Sequence, residues 1–316
     1  MPLDPIPALF LSGPTGIGKT DLAVRLAERF PLEIISADSM QVYHGLPIGT
    51  AQPSAHQRRQ AEFHLCGALA PTEPFSVQRF LTLCDEAHRR ILARGRFPLY
   101  VGGTGLYLRA LRWGLFDQEA RDPALRARLE EEIQALGAPA LHARLAVIDP
   151  RAALRIAPAD RVRIVRALEV HALTGRPLSE LQRQWTRPAP RFPHVLAVLV
   201  APRELLRRRI AERTDAMLAA GWADEVRALL AEGLSPRQHC FKALGYHEVI
   251  EHVQGRLAFG LMRERIILRT QQFAKRQMVW FRRERPALWL APPGQEPAAI
   301  YPRLEKLLAK LGTPPL

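Results

Sequence analysis

Apolar residues follow two rhythms along this chain. Ala8-Leu9-Phe10-Leu11, Leu32-Glu33-Ile34-Ile35-Ser36-Ala37 and Leu99-Tyr100-Val101 are short, nearly unbroken apolar runs, the pattern of strands covered on both faces. Between them, Asp21 to Arg29 and the stretch near Val77 to Arg94 repeat their apolar residues at helical spacing, which predicts amphipathic helices. Strand and helix therefore alternate through about residue 112, and that alternation predicts a parallel sheet covered by helices. From about Asp117 to Thr186 the rhythm changes. No strand-like run occurs there, and arginine-rich helical segments such as Pro123 to Leu136 and Asp160 to Thr174 take over. The proline-rich stretch Arg187-Pro188-Ala189-Pro190-Arg191-Phe192-Pro193 closes this segment, and Val195-Leu196-Ala197-Val198-Leu199-Val200 returns as a buried strand. A helical insertion within one α/β domain is the expectation. The remainder reads as helical, with little signal after Arg285.

Composition narrows the setting. A chain of 316 residues is long enough for one large domain or two smaller ones without covalent staples. Cys66, Cys84 and Cys240 stand far apart with no C-x-x-C pair, so neither a disulfide framework nor a zinc site is expected. Met1-Pro2-Leu3-Asp4-Pro5 lacks the basic start and apolar core of a signal peptide, and no apolar run has membrane-spanning length. A soluble, cytoplasmic protein is expected, and a monomer, since no heptad or exposed apolar stripe argues otherwise. The formal net charge is +14, carried by arginines with only five lysines: Lys19, Lys242, Lys275, Lys306 and Lys310. Such an excess suits a protein that meets a polyanion; codon composition and solubility are the bland alternative.

The first strand runs into Gly13-Pro14-Thr15-Gly16-Ile17-Gly18-Lys19-Thr20, which fits the phosphate-binding G-x-x-x-x-G-K-[ST] loop and sits between a strand and a helix as that loop must. Its glycines let successive backbone N–H groups face an anion, the helix N-terminus adds positive potential, Lys19 supplies charge, and Thr20 offers a hydroxyl to Mg²⁺. A di- or triphosphate is the expected ligand, and the fold class sharpens to a P-loop NTPase-like parallel sheet flanked by helices with an all-helical insertion. The expected boundaries are 1–116 for the first part of the core, 117–193 for the insertion, and 194–316 for the second part with carboxy-terminal helices.

The second strand ends in Asp38-Ser39-Met40-Gln41-Val42-Tyr43, at the carboxyl edge where ligands of parallel sheets bind. Asp38 is a candidate proton acceptor or metal partner, with a turn or helix cap as its other reading. The next strand read from the sequence ends in Gly102-Gly103-Thr104-Gly105, where a P-loop NTPase carries an acidic residue for Mg²⁺; ATP hydrolysis becomes less expected. Arg213 interrupts an apolar stripe of Leu206, Ile210 and Met217 on a helix opened by Pro202, and its guanidinium needs an anion, either a carboxylate or the phosphate ligand. Arg269 to Arg283 mixes cations with aromatics, and Arg163 and Arg166 lie one turn apart on a helix that Asp160 could cap. That pair, read as facing outward, suits a nucleic-acid backbone, although a solvated face is the default. A P-loop nucleoside or small-molecule kinase and a catalytically silent RNA-binding module remain the alternatives on these residues alone.

Taken in order, the phosphate loop, Asp38 to Tyr43, Ile48-Gly49-Thr50-Ala51, Gly102 to Tyr107, Arg166-Ala167-Leu168-Glu169-Val170, Gly245-Tyr246 and Ala274-Lys275-Arg276-Gln277 resemble the bacterial tRNA dimethylallyltransferases, also called tRNA isopentenyltransferases. Ala159-Asp160 departs from the Asn-Asp that is common there. The resemblance implies transfer of a dimethylallyl group from its diphosphate to N6 of the adenine 3′-adjacent to the anticodon, in tRNAs reading codons that begin with U. It implies diphosphate binding by Gly13, Pro14, Thr15, Gly16, Ile17, Gly18, Lys19 and Thr20, and Mg²⁺ at Thr20. Catalysis would fall to Asp38, Thr15, Lys19 and Arg213. The tRNA anticodon stem-loop would meet Asp38, Ser39, Met40, Gln41, Thr104, Arg126, Arg163, Arg166, Lys242, Lys275 and Arg276. The target adenine would be flipped out of the anticodon loop into the protein.

Overall fold

A computed structural model describes residues 8–115, 122–182, 189–284, 286–291, 300–313 and 315. Met1 to Pro5, Asp117, the Arg187-Pro188 start of the proline-rich stretch and Arg285 lie outside the described residues.

Six strands form one parallel sheet: β1 (Ala8–Ser12), β2 (Leu32–Ser36), β3 (Phe63–His64), β4 (Phe97–Gly102), β5 (His194–Leu199) and β6 (Leu288–Leu290). Their order is β3-β2-β4-β1-β5-β6. From β1 the chain steps out to β2 and β3, returns to place β4 between β2 and β1, then crosses to the other side with β5, so the phosphate loop leaves the sheet where the strand order reverses. Crevices at such switch points, outside the carboxyl ends of the strands, are where open parallel sheets bind ligands. Every residue of β1 and β2 is buried, as unbroken apolar runs require. The one charged member, Glu33, is held by His64 at 2.7 Å and Arg94 at 2.5 Å.

The helices are α1 (Lys19–Ala27), α2 (Ala55–Gln60), α3 (Val77–Ala93), α4 (Gly105–Trp113), α5 (Pro123–Leu136), α6 (Ala138–Ile148), α7 (Pro150–Ala153), α8 (Arg161–Thr174), α9 (Leu178–Leu181), α10 (Arg203–Ala219), α11 (Trp222–Ala231), α12 (Tyr246–Val253), α13 (Phe259–Phe281) and α14 (Tyr301–Lys310). Leu9 and Leu11 of β1 pack with α1 and α14 through Leu22, Leu26, Leu304 and Leu308. Phe10 points to the opposite face and stacks on Tyr100 at 4.6 Å between ring centroids. Alternation along β1 thus loads both faces of the sheet.

The chain divides into two compact units, one formed by Met1–Arg112 with Arg191–Leu316 and the other by Trp113–Pro190. The sequence had placed the boundaries at 116/117 and 193/194. Arg112 continues helix α4 into the first unit, and the Arg191 backbone N–H donates to the Arg112 carbonyl at 2.9 Å, which ties the returning chain there three residues early. The second unit packs α5, α6 and α8 around Leu129, Ile133, Leu145, Ile164 and Leu168. Asp122 caps α5 by accepting from the N–H groups of Ala124 and Leu125, and Asp160 caps α8 by accepting from Arg163. Such caps answer the orphan donors of a helix start.

Three elements at the sheet edge and after Arg285 escaped the sequence reading. The short strand β3 sits on the sheet edge, so the Gly102 strand is fourth in the chain, not third. Beyond Arg285, β6 and α14 are present; Ile300, Leu304 and Leu308 recur every four residues and are fully buried, a helical period the charged neighbours concealed.

Candidate active site

Gly18 opens α1 with φ at 90°, in the left-handed region that glycine tolerates, and no side chain caps the helix. The first-turn amides of α1 are therefore left for an anion. Lys19 folds back over the loop: its Nζ donates to the carbonyls of Gly13 and Pro14, each at 3.0 Å. Burial draws its pKa down to about 8, the nearby Arg213 cation adds to the effect, and Asp38 opposes it. Arg213, from α10, donates through Nη2 to the Thr15 hydroxyl at 2.8 Å. Burial lowers its pKa too, again with Asp38 as the counter-charge. The apolar stripe that Arg213 interrupts thus faces the phosphate loop. Ile17 is buried in the core under the loop, so only its backbone is placed for an anion.

Asp38 follows β2 and lines the same cleft as Lys19, Thr20 and Arg213. Its Oδ1 accepts the backbone N–H of Met40 at 2.9 Å and of Gln41 at 3.4 Å, so the turn-capping reading holds for one oxygen. Oδ2 accepts no hydrogen bond from the described residues. The Ser39 N–H donates to the Thr104 hydroxyl at 3.3 Å, joining the Asp38 turn to the end of β4.

The glycines after β4 answer to close packing within the protein. A Cβ on Gly102 would stand 2.2 Å from the Ala37 carbonyl oxygen, and one on Gly103 would stand 2.3 Å from Gln277 Nε2. Gln277, from α13, was not singled out by the sequence as a site residue, yet it joins two loops: its Oε1 accepts the Thr15 N–H at 2.8 Å and its Nε2 donates to the Gly103 carbonyl at 2.9 Å. It belongs to the Ala274–Gln277 segment that carries the family resemblance, but its partner Thr15 lies at the other end of the chain, so its role was not legible there.

The cleft has a volume of about 1420 Å³, above the 300–1,000 Å³ of ordinary small-molecule sites. Lys19, Arg209, Arg213, Arg237, Lys242, Arg269 and Arg276 line it against four acidic residues, Asp21, Asp38, Glu212 and Glu248. Ser39, Met40 and Thr104 line it as well. It can hold a diphosphate and a larger polyanion together.

Three expected contacts change. Gln41 was expected to read a base, but its Nε2 donates to the carbonyls of Thr50 at 3.3 Å and Ala51 at 2.8 Å, and its Oε1 accepts from the Ser36 hydroxyl at 2.8 Å. Its amide is fully engaged in holding a loop. Lys275 is exposed and is not among the cleft-lining residues, whereas its neighbour Arg276, also exposed, lines the cleft. In the second unit, Arg163 is exposed and paired with Asp160, whereas Arg166 is only 25% exposed and donates at 2.7 Å to the fully buried Glu169, which Arg126 also approaches at 3.8 Å. The pair does not face outward together: an uncompensated carboxylate at Glu169 would be costly, so the arginines turn toward it.

A parallel sheet with a phosphate loop at its switch point, opening into a basic cleft that Asp38 also lines, defines a P-loop α/β protein with a cleft suited to anions. Its relatives narrow the class. The family described as IPP transferase matches residues 41–284, and that described as isopentenyl transferase matches residues 7–63. The chain is 47% identical to the tRNA dimethylallyltransferase of Anaeromyxobacter dehalogenans strain 2CP-1, over 90% of this chain and 92% of that protein. It is 49% identical to that of Alkalilimnicola ehrlichii, over 90% and 91%. Among solved structures, the tRNA isopentenylpyrophosphate transferase of Bacillus halodurans superposes with a TM-score of 0.69 at 33% identity, over 97% of this chain and 98% of that one. A eukaryotic dimethylallyltransferase acting on tRNA gives 0.71 at 28% identity, over 87% and 70%. This chain belongs to the tRNA dimethylallyltransferase family and is a transferase.

Proposed function

We propose that the protein transfers a dimethylallyl group from dimethylallyl diphosphate to N6 of the adenine 3′-adjacent to the anticodon, in tRNAs reading codons that begin with U. The observation that carries this reading is the meeting of Lys19, Arg213 and the open α1 amides with Asp38 in one basic cleft. The adenine N6 lone pair attacks the allylic carbon, the carbon–oxygen bond breaks, and its electron pair leaves with diphosphate. Lys19, Arg213 and the loop amides stabilise the growing charge. Asp38 Oδ2 accepts the N6 proton as attack proceeds, since an exocyclic amine is too weak an acid to lose it first. Thr15, held by Arg213 and Gln277, orients the loop.

No cluster of three His, Cys, Asp or Glu side chains among the described residues could hold a metal by itself. Thr20 in the first turn of α1 lines the anion site, and its hydroxyl fits a Mg²⁺ that diphosphate and water oxygens would complete. Bound there, the ion would neutralise leaving-group charge. On the RNA side, Ser39, Met40 and Thr104 meet the flipped adenine, Lys242 and Arg276 the strand beside it, and exposed Arg163, with the solvent-facing parts of Arg126 and Arg166, the anticodon stem. We assign Lys275 no contact. The enzyme works as a cytoplasmic monomer; no helix among the described residues is long and apolar enough to cross a membrane.

Labelled dimethylallyl diphosphate offered with unmodified tRNA or with AMP tests the reading. Label is expected in tRNA alone. Label in AMP alone would move the activity to free nucleotides, and label in neither would overturn the assignment.

The depressed Lys19 pKa has a sign that can be checked. Below about pH 8 the free site carries the ammonium; bound diphosphate favours that charged form and raises its pKa. Affinity for inorganic diphosphate should therefore fall as pH climbs past 8, approaching about tenfold per unit, and binding near pH 8 should take up protons. Calorimetry in two buffers of different ionisation enthalpy measures the uptake; equal heats and constant affinity from pH 7 to 9.5 would contradict it.

A further inference from the structure

Glu225, in the first turn of α11, reaches the loop between β2 and α2 with both carboxylate oxygens. Oε2 accepts the Ile48 N–H at 2.6 Å, while Oε1 accepts the Gly49 N–H at 3.1 Å and the Tyr246 hydroxyl at 2.6 Å. The loop is pressed against the same support. A Cβ on Gly49 would stand 2.1 Å from Trp222 Nε1 and 2.4 Å from the Tyr246 ring, so only glycine lets the backbone come this close. Two residues on, Ala51 sits at φ 51°, a left-handed conformation that costs a non-glycine residue energy and persists only where its surroundings impose it. The carbonyls of Thr50 and Ala51 then receive both amide hydrogens of Gln41. Gln41 is the last member of the turn whose N–H groups bind Asp38 Oδ1.

A relay of hydrogen bonds therefore runs from α11 through residues 48–51 and Gln41 to the Asp38 turn. We propose that Glu225 is a positioning residue of the transfer reaction: by fixing the 48–51 loop it fixes Gln41, and through Gln41 it holds Asp38 where the proton of the attacking amine is taken. A neutral amide cannot replace it. Glutamine would keep one acceptor and turn an NH2 toward a backbone N–H, so one loop bond would be lost and one repulsion gained. Burial of Glu225, which raises its pKa while Tyr246, Ile48 and Gly49 lower it by hydrogen bonding, is the cost of placing a carboxylate there; three matched donors and the close packing at Gly49 are what it secures.

This inference rests on the proposed transferase reading, and the test separates the two. In single turnover with both substrates saturating, Glu225→Gln should lower the rate about 10- to 100-fold, the size of loss a small misplacement of a reacting group produces. Affinity for inorganic diphosphate should stay within about twofold, since the phosphate loop is untouched, so the loss falls on the saturated rate and not on substrate binding. Asp224→Asn, beside it but exposed and paired with Arg227, should behave as wild type. Gln41→Ala should reproduce the slowed transfer with unchanged diphosphate affinity from the other end of the relay, and the double variant should lose no more than the worse single one. A wild-type saturated rate in folded Glu225→Gln, or additive losses in the double variant, would overturn the proposal. Should Glu225→Gln not fold, a wild-type saturated rate in Gln41→Ala overturns it instead. Wild-type protein that labels no tRNA would sink the transferase reading itself.

Discussion

Asp38→Asn is expected to lower single-turnover transfer about 10²–10⁴-fold, the range for removing a general base, while tRNA affinity and thermal midpoint stay near wild type. The structure makes asparagine the informative substitution. Its Oδ1 can still accept the Met40 and Gln41 N–H groups that Asp38 accepts at 2.9 and 3.4 Å, so the turn survives and only the proton acceptor is removed. Alanine would remove both at once. A stopped or quenched-flow measurement with saturating tRNA and dimethylallyl diphosphate reads the chemical step. A rate within about threefold of wild type would strip Asp38 of that role, and a large loss of tRNA binding with the chemical step intact would make it a binding group instead.

Arg112→Met should destabilise the folded protein by about 3–5 kcal/mol, the cost of breaking a buried ion pair from one side, with the lower end expected because Arg109 stays beside Glu284. Arg112 is completely buried. It donates to Glu284 Oε2 at 3.1 Å, to the Pro286 carbonyl at 2.9 Å, and through Nε to His194 Nε2 at 2.9 Å. His194 can accept there because its Nδ1 faces the Phe192 carbonyl at 3.0 Å, which places the ring proton on Nδ1. Burial, reinforced by the Arg112 cation, pushes the His194 pKa down to about 4, so the ring is neutral at physiological pH. Urea unfolding measures the loss. A change under about 1 kcal/mol would mean that Glu284 finds full compensation elsewhere, and Arg112→Met with Glu284→Gln should recover part of the loss, since the carboxylate would no longer be left charged.

The strands that carry the site were legible because burial on both sheet faces forces unbroken apolar runs, and the phosphate loop because its spacing is dictated by the anion. Arg213 was legible as a cation out of place on an apolar stripe. What the sequence concealed is pairing across distance. Nothing local distinguishes Gln41 as a loop support from Gln41 as a base reader; the difference lies in the Thr50 and Ala51 carbonyls that fold back onto it. Gln277 meets Thr15 and Glu225 meets Ile48 only once α13 and α11 have docked. Arg166 looked like a surface cation because Glu169, three residues on, reads equally well as a solvated partner; the packing of α5, α6 and α8 is what buries the carboxylate and draws the arginine in.

The bond from the Arg191 N–H to the Arg112 carbonyl brings the two ends of the interrupted chain side by side. Removing residues 113–190 would therefore leave a gap that a very short bridge could close, and no strand lies among the described residues of that stretch. Topologically, the helical unit is a cassette: the phosphate loop and Asp38 sit on a chain whose ends at Arg112 and Arg191 meet without it.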